Sequence, residues 1–184
     1  MRRIDNFENV QASDGEFQRP GPGGYIVEIV DVVDVSKDYT TGKGDYLKIC
    51  YDISFGDFRG YYNDLQNKFG GDWRASFIRS YKEKALGMFK HFINCVEESN
   101  PSYKWNWLER TLVGKTVGVV LQEEEYEKSD GSVGIKLSVK EVKRADQIVK
   151  GDFKVPEIKR LSGRTGSSFV EQPQHEHESG DLPF

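Results

Sequence analysis

The order in which hydrophobic periods change along this chain is what most restricts its fold. Apolar residues recur at every second position in three early stretches, at every third or fourth position in one central stretch, and at every second position again in two later ones. Tyr25 to Val35 is rich in Val and Ile, and its apolar parity shifts near Ile29-Val30, the mark of a long strand carrying a bulge. After the turn residues Thr40-Thr41-Gly42-Lys43-Gly44-Asp45, the residues Leu47, Ile49, Tyr51 and Ile53 alternate with Tyr46, Lys48, Cys50 and Asp52, which predicts a second strand. Gly56-Asp57 predicts a tight turn into a short third strand, Phe58 to Tyr62.

The period changes after Gly70-Gly71-Asp72. Phe77, Tyr81, Ala85, Phe89, Phe92 and Val96 then fall on one helix face, and Asn100-Pro101 ends that helix because proline restricts the residue before it and has no amide donor. Val117, Val119 and Leu121, the turn Asp130-Gly131, and Val133, Ile135, Leu137 and Val139 read as a closing hairpin. The expected fold is mostly β: a five-stranded, partly open barrel with a helix between strands 3 and 4. Tyr51, Phe55, Phe77, Tyr81, Phe89 and Phe92 are its expected core aromatics.

The chain of 184 residues suits one domain with appendages. Residues 1–24, ending in Arg19-Pro20-Gly21-Pro22-Gly23-Gly24, read as an N-terminal arm or cap, and residues 25–160 as the barrel. Residues 161–184, dominated by Gly, Ser, Gln, His and Glu, read as a flexible acidic tail without the means to build a core. No apolar run long enough to span a membrane is present, and Met1-Arg2-Arg3 is not followed by the apolar stretch of a secretory signal. The expected compartment is the cytoplasm, where Cys50 and Cys95 stay reduced.

Charge is unevenly placed. The formal net charge is -4, but residues 171–184 hold four carboxylates and no Lys or Arg, which leaves 26 acidic against 26 basic residues in the rest. Arg59 to Lys115 has ten basic residues against six acidic, and Lys140 to Arg164 has eight against four. The first basic zone is also where the aromatics gather, since 14 of the 23 lie between Tyr51 and Trp107. Flat rings stack on unpaired bases while Lys and Arg neutralise phosphates, so this pairing points to single-stranded nucleic acid. The candidate contacts are Tyr46, Lys48, Phe58, Arg59, Tyr61, Trp105 and Trp107, with Lys136 and Lys140 on the last strand pointing opposite to Ile135, Leu137 and Val139.

Catalytic signals are sparse. His91 and Cys95 have a chelating helical spacing, and His175 and His177 sit in the tail, but no second ligand pair completes either, so no metal and no cofactor is expected. Asp31, Asp34 and Asp38 would suit a magnesium-dependent nuclease, although a strand end or bulge explains them equally well. Phosphate-binding loops, dinucleotide fingerprints and nucleophile elbows are absent from the sequence, and the expectation is a binding protein and not an enzyme.

The sequence ends in Asp181-Leu182-Pro183-Phe184, an apolar tip behind an acidic stretch, suited to placing Phe184 in a partner's pocket while carboxylates meet basic residues at its rim. This ending resembles the acidic tip of bacterial single-stranded DNA-binding proteins, which finish in Asp, a branched aliphatic residue, Pro and Phe. The body is similar to small phage-encoded or mobile-element proteins regarded as single-stranded DNA-binding proteins, through Gly56-Asp57-Phe58-Arg59-Gly60-Tyr61, Lys104-Trp105-Asn106-Trp107 and Gly151-Asp152-Phe153-Lys154-Val155-Pro156. The resemblance covers about residues 20–160. It implies an OB-fold barrel, work in replication or recombination within a bacterial host cell, and recruitment of replication or recombination proteins by the tip. Self-association along the strand, or a closed dimer, would strengthen so small a module. The competing reading is a protein-interaction adaptor whose rings form an interface, since Trp, Tyr and Arg also mark protein hot spots.

Overall fold

β1 (Gly23–Val35) is shared by both halves of the sheet. Its first six residues pair antiparallel with β4 (Thr116–Glu127), from Gly23 opposite Leu121 to Glu28 opposite Thr116. From Val27 onward it pairs antiparallel with β2 (Tyr46–Ile53), ending with Val35 opposite Tyr46. The register slips between Ile29 and Asp31, so the expected bulge is present, at Val30. β3 (Ser76–Ser80) pairs with β2 and β5 (Val133–Lys143) with β4. The result is a five-stranded antiparallel open sheet in the order β3-β2-β1-β4-β5. This computed structural model describes residues 18–35 and 44–161.

Period-2 alternation on β2 sends Leu47, Ile49, Tyr51 and Ile53 to the inner face, where they meet Val27 and Ile29 of β1 and Val117, Val119 and Leu121 of β4. The helix α2 (Leu86–Ser99) covers this face with Phe89, Phe92, Ile93 and Val96. Ile29, Ile49, Ile53, Phe92, Leu112 and Leu121 are almost wholly withdrawn from water, each contributing about 1.5–3 kcal/mol by transfer. Among the described residues no helix is long and apolar enough to cross a membrane.

Two expected elements are placed differently. Phe58 to Tyr62 is not a strand: the chain turns through Gly56–Gly60 and enters the helix α1 (Tyr61–Phe69). The cause is tertiary. The buried carboxylate of Asp52, on β2, accepts the backbone N–H groups of Tyr62 at 3.0 Å and Asn63 at 3.1 Å, which caps α1 from outside its own segment. Gly60 supplies the left-handed φ of 76° that aims the chain into the helix.

The third strand lies instead at Ser76–Ser80, where the sequence reads as the start of the central helix. Ala75, Phe77 and Arg79 form its inward row, and the arginine hides the alternation. α2 begins only at Leu86, after a single 3₁₀ turn at Glu83–Ala85, and stops at Ser99 before Asn100-Pro101 as expected. Phe55 is corrected as well: it is 71% exposed, because β2 has ended and the ladder no longer assigns it a face.

The chain after β5 is fastened to the sheet. In α3 (Ala145–Val149), Ile148 packs over Gly118, and Phe153 packs over Gly24. Residues 157–161 then run parallel to β4, with Lys159 N–H donating to Glu123 O at 2.8 Å and Glu125 N–H donating to Lys159 O at 2.9 Å.

A Cβ at Gly118 would lie 2.5 Å from Ile148 Cγ1 and 2.8 Å from Arg144 O, whereas one at Gly87 would meet nothing within 4 Å. Gly118→Ala is therefore expected to lower the urea midpoint by about 1–3 kcal/mol equivalent. Gly87→Ala, in the first turn of α2, is expected to leave it unchanged or raise it by up to about 1 kcal/mol.

Candidate nucleic-acid interface

Tyr46 and Lys48 occupy the outer face of β2, opposite the buried Leu47 and Ile49. Pairing places Val35 and Ser80 beside Tyr46, and Val33 and Ile78 beside Lys48. Val33 is 44% and Ile78 53% exposed, so the outer strip is partly apolar and open, with one cation near its centre. Beside it the free edges of β3 and β5 approach without hydrogen-bonding to each other. They leave a groove of about 350 Å³ lined by Tyr46, Lys48, Ile78, Arg79, Ser138 and Val139.

Trp105 and Trp107 stand at the end of an aromatic run that begins next to Tyr46. Tyr81 N–H donates to Asp45 O at 3.0 Å, and the Tyr81 hydroxyl donates to Asp34 Oδ1 at 2.7 Å. From there the ring centroids step by 6.0 Å to Phe89, 6.4 Å to Trp105 and 6.2 Å to Trp107. Trp107 is 82% exposed and holds φ at 65°, a conformation unfavourable for a bulky side chain. The loop is braced around it: Asn106 Oδ1 accepts Leu108 N–H, and the Thr111 hydroxyl lies 2.7 Å from Leu108 O. Glu97 holds the neighbouring residues, accepting Trp105 N–H at 2.8 Å and the Lys104 ammonium at 3.2 Å. The buried Trp105 Nε1 has no hydrogen-bond partner in the structure.

Phe58, Arg59 and Tyr61 lie elsewhere, at the head of α1. Phe58 packs edge-on against Tyr25 at 6.4 Å and Tyr61 at 6.2 Å, and both rings are half-buried; Arg59 is exposed on the turn. Burial pushes the Tyr61 hydroxyl up while the nearby Arg19 and Arg74 pull it down. The structure therefore does not gather the expected contacts into one patch: Tyr46 and Lys48 share a groove, the two tryptophans close an aromatic run that passes through the buried Phe89, and the Phe58 group stands apart.

On β5, Lys136 is directed to Glu124 at 3.7 Å and over the Tyr126 ring. Lys140 is exposed and carries no ion pair among the described residues. Much of the second basic zone is matched internally: Arg144 with Glu98 and Asp146, Lys150 with Asp146, Lys159 with Glu124, and Arg160 with Glu125.

The metal-like spacings have structural uses. His91 Nε2 meets Val142 O at 3.0 Å, and Cys95 Sγ lies 3.6 Å from the same nitrogen, its thiol pushed up to about 11 chiefly by burial. Among the described residues no three His, Cys, Asp or Glu side chains come together as a metal-holding group. Asp34 serves Tyr81, Asp31 is exposed opposite Cys50, and Asp38 lies outside the described residues. The same holds for His175, His177, Asp181, Leu182, Pro183 and Phe184.

Sequence reading missed Arg79 and Phe69. Phe69 is 57% exposed at the end of α1, with Lys68 and Arg74 each 5.3 Å from its ring. The signal for Arg79 was its place two residues after Phe77 in a strand read as a helix. No family model matches this chain, and no curated protein matches it.

The Glu97 carboxylate is held below its ordinary value, first by the Trp105 N–H and then by Lys104. A depressed folded value means that its support is complete above the ordinary glutamate range and disappears as pH falls through the lowered one. Tryptophan emission is thus expected to shift below the ordinary glutamate range, before global unfolding registers in circular dichroism. Glu97→Gln is expected to show the shifted emission already at neutral pH.

Proposed function

We propose that this protein binds single-stranded DNA without sequence preference and without catalysis. The observation that carries this reading is the open outer strip of β1, β2 and β3, in which Tyr46, Lys48, Val33 and Ile78 adjoin a groove with Arg79 on its wall. Flat, partly apolar surface takes bases, and neighbouring cations take phosphates. Trp107 adds a ring already held out to solvent, at a backbone conformation that packing alone does not reward.

An OB-type barrel is the reading of the fold that accords best with this surface. The meander β1-β2-β3, the helix α2 before β4, the pairing of β1 with β4 and the side-by-side approach of β5 to β3 follow that topology, with the β3–β5 seam left open. Asp181 to Phe184 would recruit replication or recombination proteins to the covered strand, and the four carboxylates of residues 171–184 would compete with DNA for the cations when no strand is bound.

Titration with oligo(dT), followed by tryptophan fluorescence, is expected to give quenching that weakens as salt rises, with a log–log slope of about -0.7 for each phosphate neutralised. Duplex DNA is expected to bind far less well. No quenching, or equal affinity for duplex, would overturn the proposal and favour an adaptor.

Trp107→Gly relieves the left-handed strain and removes a ring with little buried area. It is expected to leave the urea midpoint within about 1 kcal/mol of the parent. Oligo(dT) affinity is expected to fall by about 5- to 150-fold, the loss of one stacked base.

A further inference from the structure

Arg79 occupies a position where the strand pattern calls for an apolar residue. On β3 the inward row runs Ala75, Phe77, Arg79, and Arg79 pairs opposite the buried Leu47. Its guanidinium lies 4.7 Å from the Phe77 ring centroid and spends one donor on Ile78 O at 2.9 Å. No carboxylate lies within 4.0 Å of it among the described residues, so this half-buried five-donor fork has no anion beside it. Burial holds this guanidinium below its ordinary value, the direction expected of a cation lacking its counter-charge. A guanidinium so placed, with donors to spare and open to the cleft, suits an anionic ligand.

The cleft that receives Arg79 has the matching chemistry. It has a volume of about 320 Å³ between α2, the end of β5 and α3, and is lined by Arg79, His91, Lys140, Glu141, Lys143 and Gln147, with Met88 at its side. Lys140 reaches it through a second bulge: Val120 pairs with Glu141 and Leu121 with Val139, leaving Lys140 as the extra residue. Both Val139 and Val142 pack toward the core, so two residues instead of one lie between them, which breaks the alternation at the seam. Glu141 is the one carboxylate in the cleft, and it faces Lys143 at 3.8 Å. Three cations thus meet a single acid. His91 Nε2 donates to Val142 O at 3.0 Å, which fixes the ring in the cleft wall as a reporter of what binds beside it.

We propose that this cleft is a phosphate-binding site, in which the Arg79 fork bonds the phosphate oxygens and Lys140 and Lys143 supply further positive charge. The inference rests on the strand-binding reading in one respect: the phosphate belongs to the single strand lying along the adjoining groove, with which the cleft shares Arg79. An internal phosphodiester and a terminal 5′-phosphate offer the same oxygens, and the guanidinium fork suits both.

The test uses the full chain. Inorganic phosphate is titrated while the His91 ring and Arg79 Nε–H resonances are followed by NMR. Saturable shifts confined to these groups are expected in the parent, and are expected to be lost in Arg79→Met, which retains a flexible apolar side chain over Phe77. Lys140→Gln, at an exposed position, serves if Arg79→Met fails to fold, and is expected to weaken phosphate binding several-fold. Shifts spread equally over surface lysines such as Lys154, or unchanged by both substitutions, would overturn the site. In the second arm, oligo(dT) with and without a 5′-phosphate is titrated against salt. Arg79→Met is expected to lower the slope by about 0.7 if it loses one phosphate. An affinity gain from the 5′-phosphate that disappears in the variant identifies the terminal group, and equal parent affinities identify an internal one. An unchanged slope in a variant that has lost phosphate binding would overturn the assignment to the strand. Phosphate shifts in a parent that does not bind oligo(dT) would refute strand binding while leaving the anion site in place.

Discussion

One strand of 13 residues ladders with β4 at its beginning and with β2 over most of its length. Only a strand that bends can satisfy both partners, and the bulge at Val30 allows this while Val27 and Ile29 stay in the core. The bend leaves β3 and β5 as neighbours across a seam, with their edges free of one another. The groove and the cleft beside Arg79 both open along that seam.

Charge acquires its meaning from the same geometry. Counted along the chain, the segment from Lys140 onward looks like a basic surface, but folding gives most of its cations local acids. Glu98 and Asp146 hold Arg144, while Glu124 and Glu125 hold Lys159 and Arg160 as the segment 157–161 runs beside β4. These exposed pairs contribute little to stability. Their effect is to neutralise much of that segment locally, whereas Lys48, Arg79 and Lys140 at the seam have no carboxylate within 4.0 Å among the described residues.

The strands read correctly from sequence were those whose partners impose a strict alternation. Leu47 to Ile53 and Val117 to Leu121 are inward on every second residue, and the parity break in β1 was visible because Val and Ile dominate both sides of it. Phe58 to Tyr62 was misread because its aromatics suit a strand locally, while the group that turns it into a helix, the Asp52 carboxylate, lies ten residues before Tyr62. Ser76 to Ser80 failed for the opposite reason: Phe77 and Tyr81 are four apart, and Arg79 conceals the period of two. Of the candidate contacts, Tyr46 and Lys48 were legible from parity. The separation of Phe58 and Tyr61 from them was not, because it follows from the path of α1.

Apolar residues at strand spacing, the positions of the turns, and the interleaving of aromatic and basic side chains are legible without coordinates, since these are properties of neighbours along the chain. Folding settled which cations keep their charge available, how far Trp107 stands in water, and that an arginine follows Phe77 in the inward row of β3 and faces a cleft. Those outcomes depend on contacts between segments far apart in sequence: β3 against β5, α2 against the loop of Trp105, and residues 157–161 against β4. A local pattern carries no record of such distances, because desolvation and ion pairing are set by whatever the fold brings within a few ångströms.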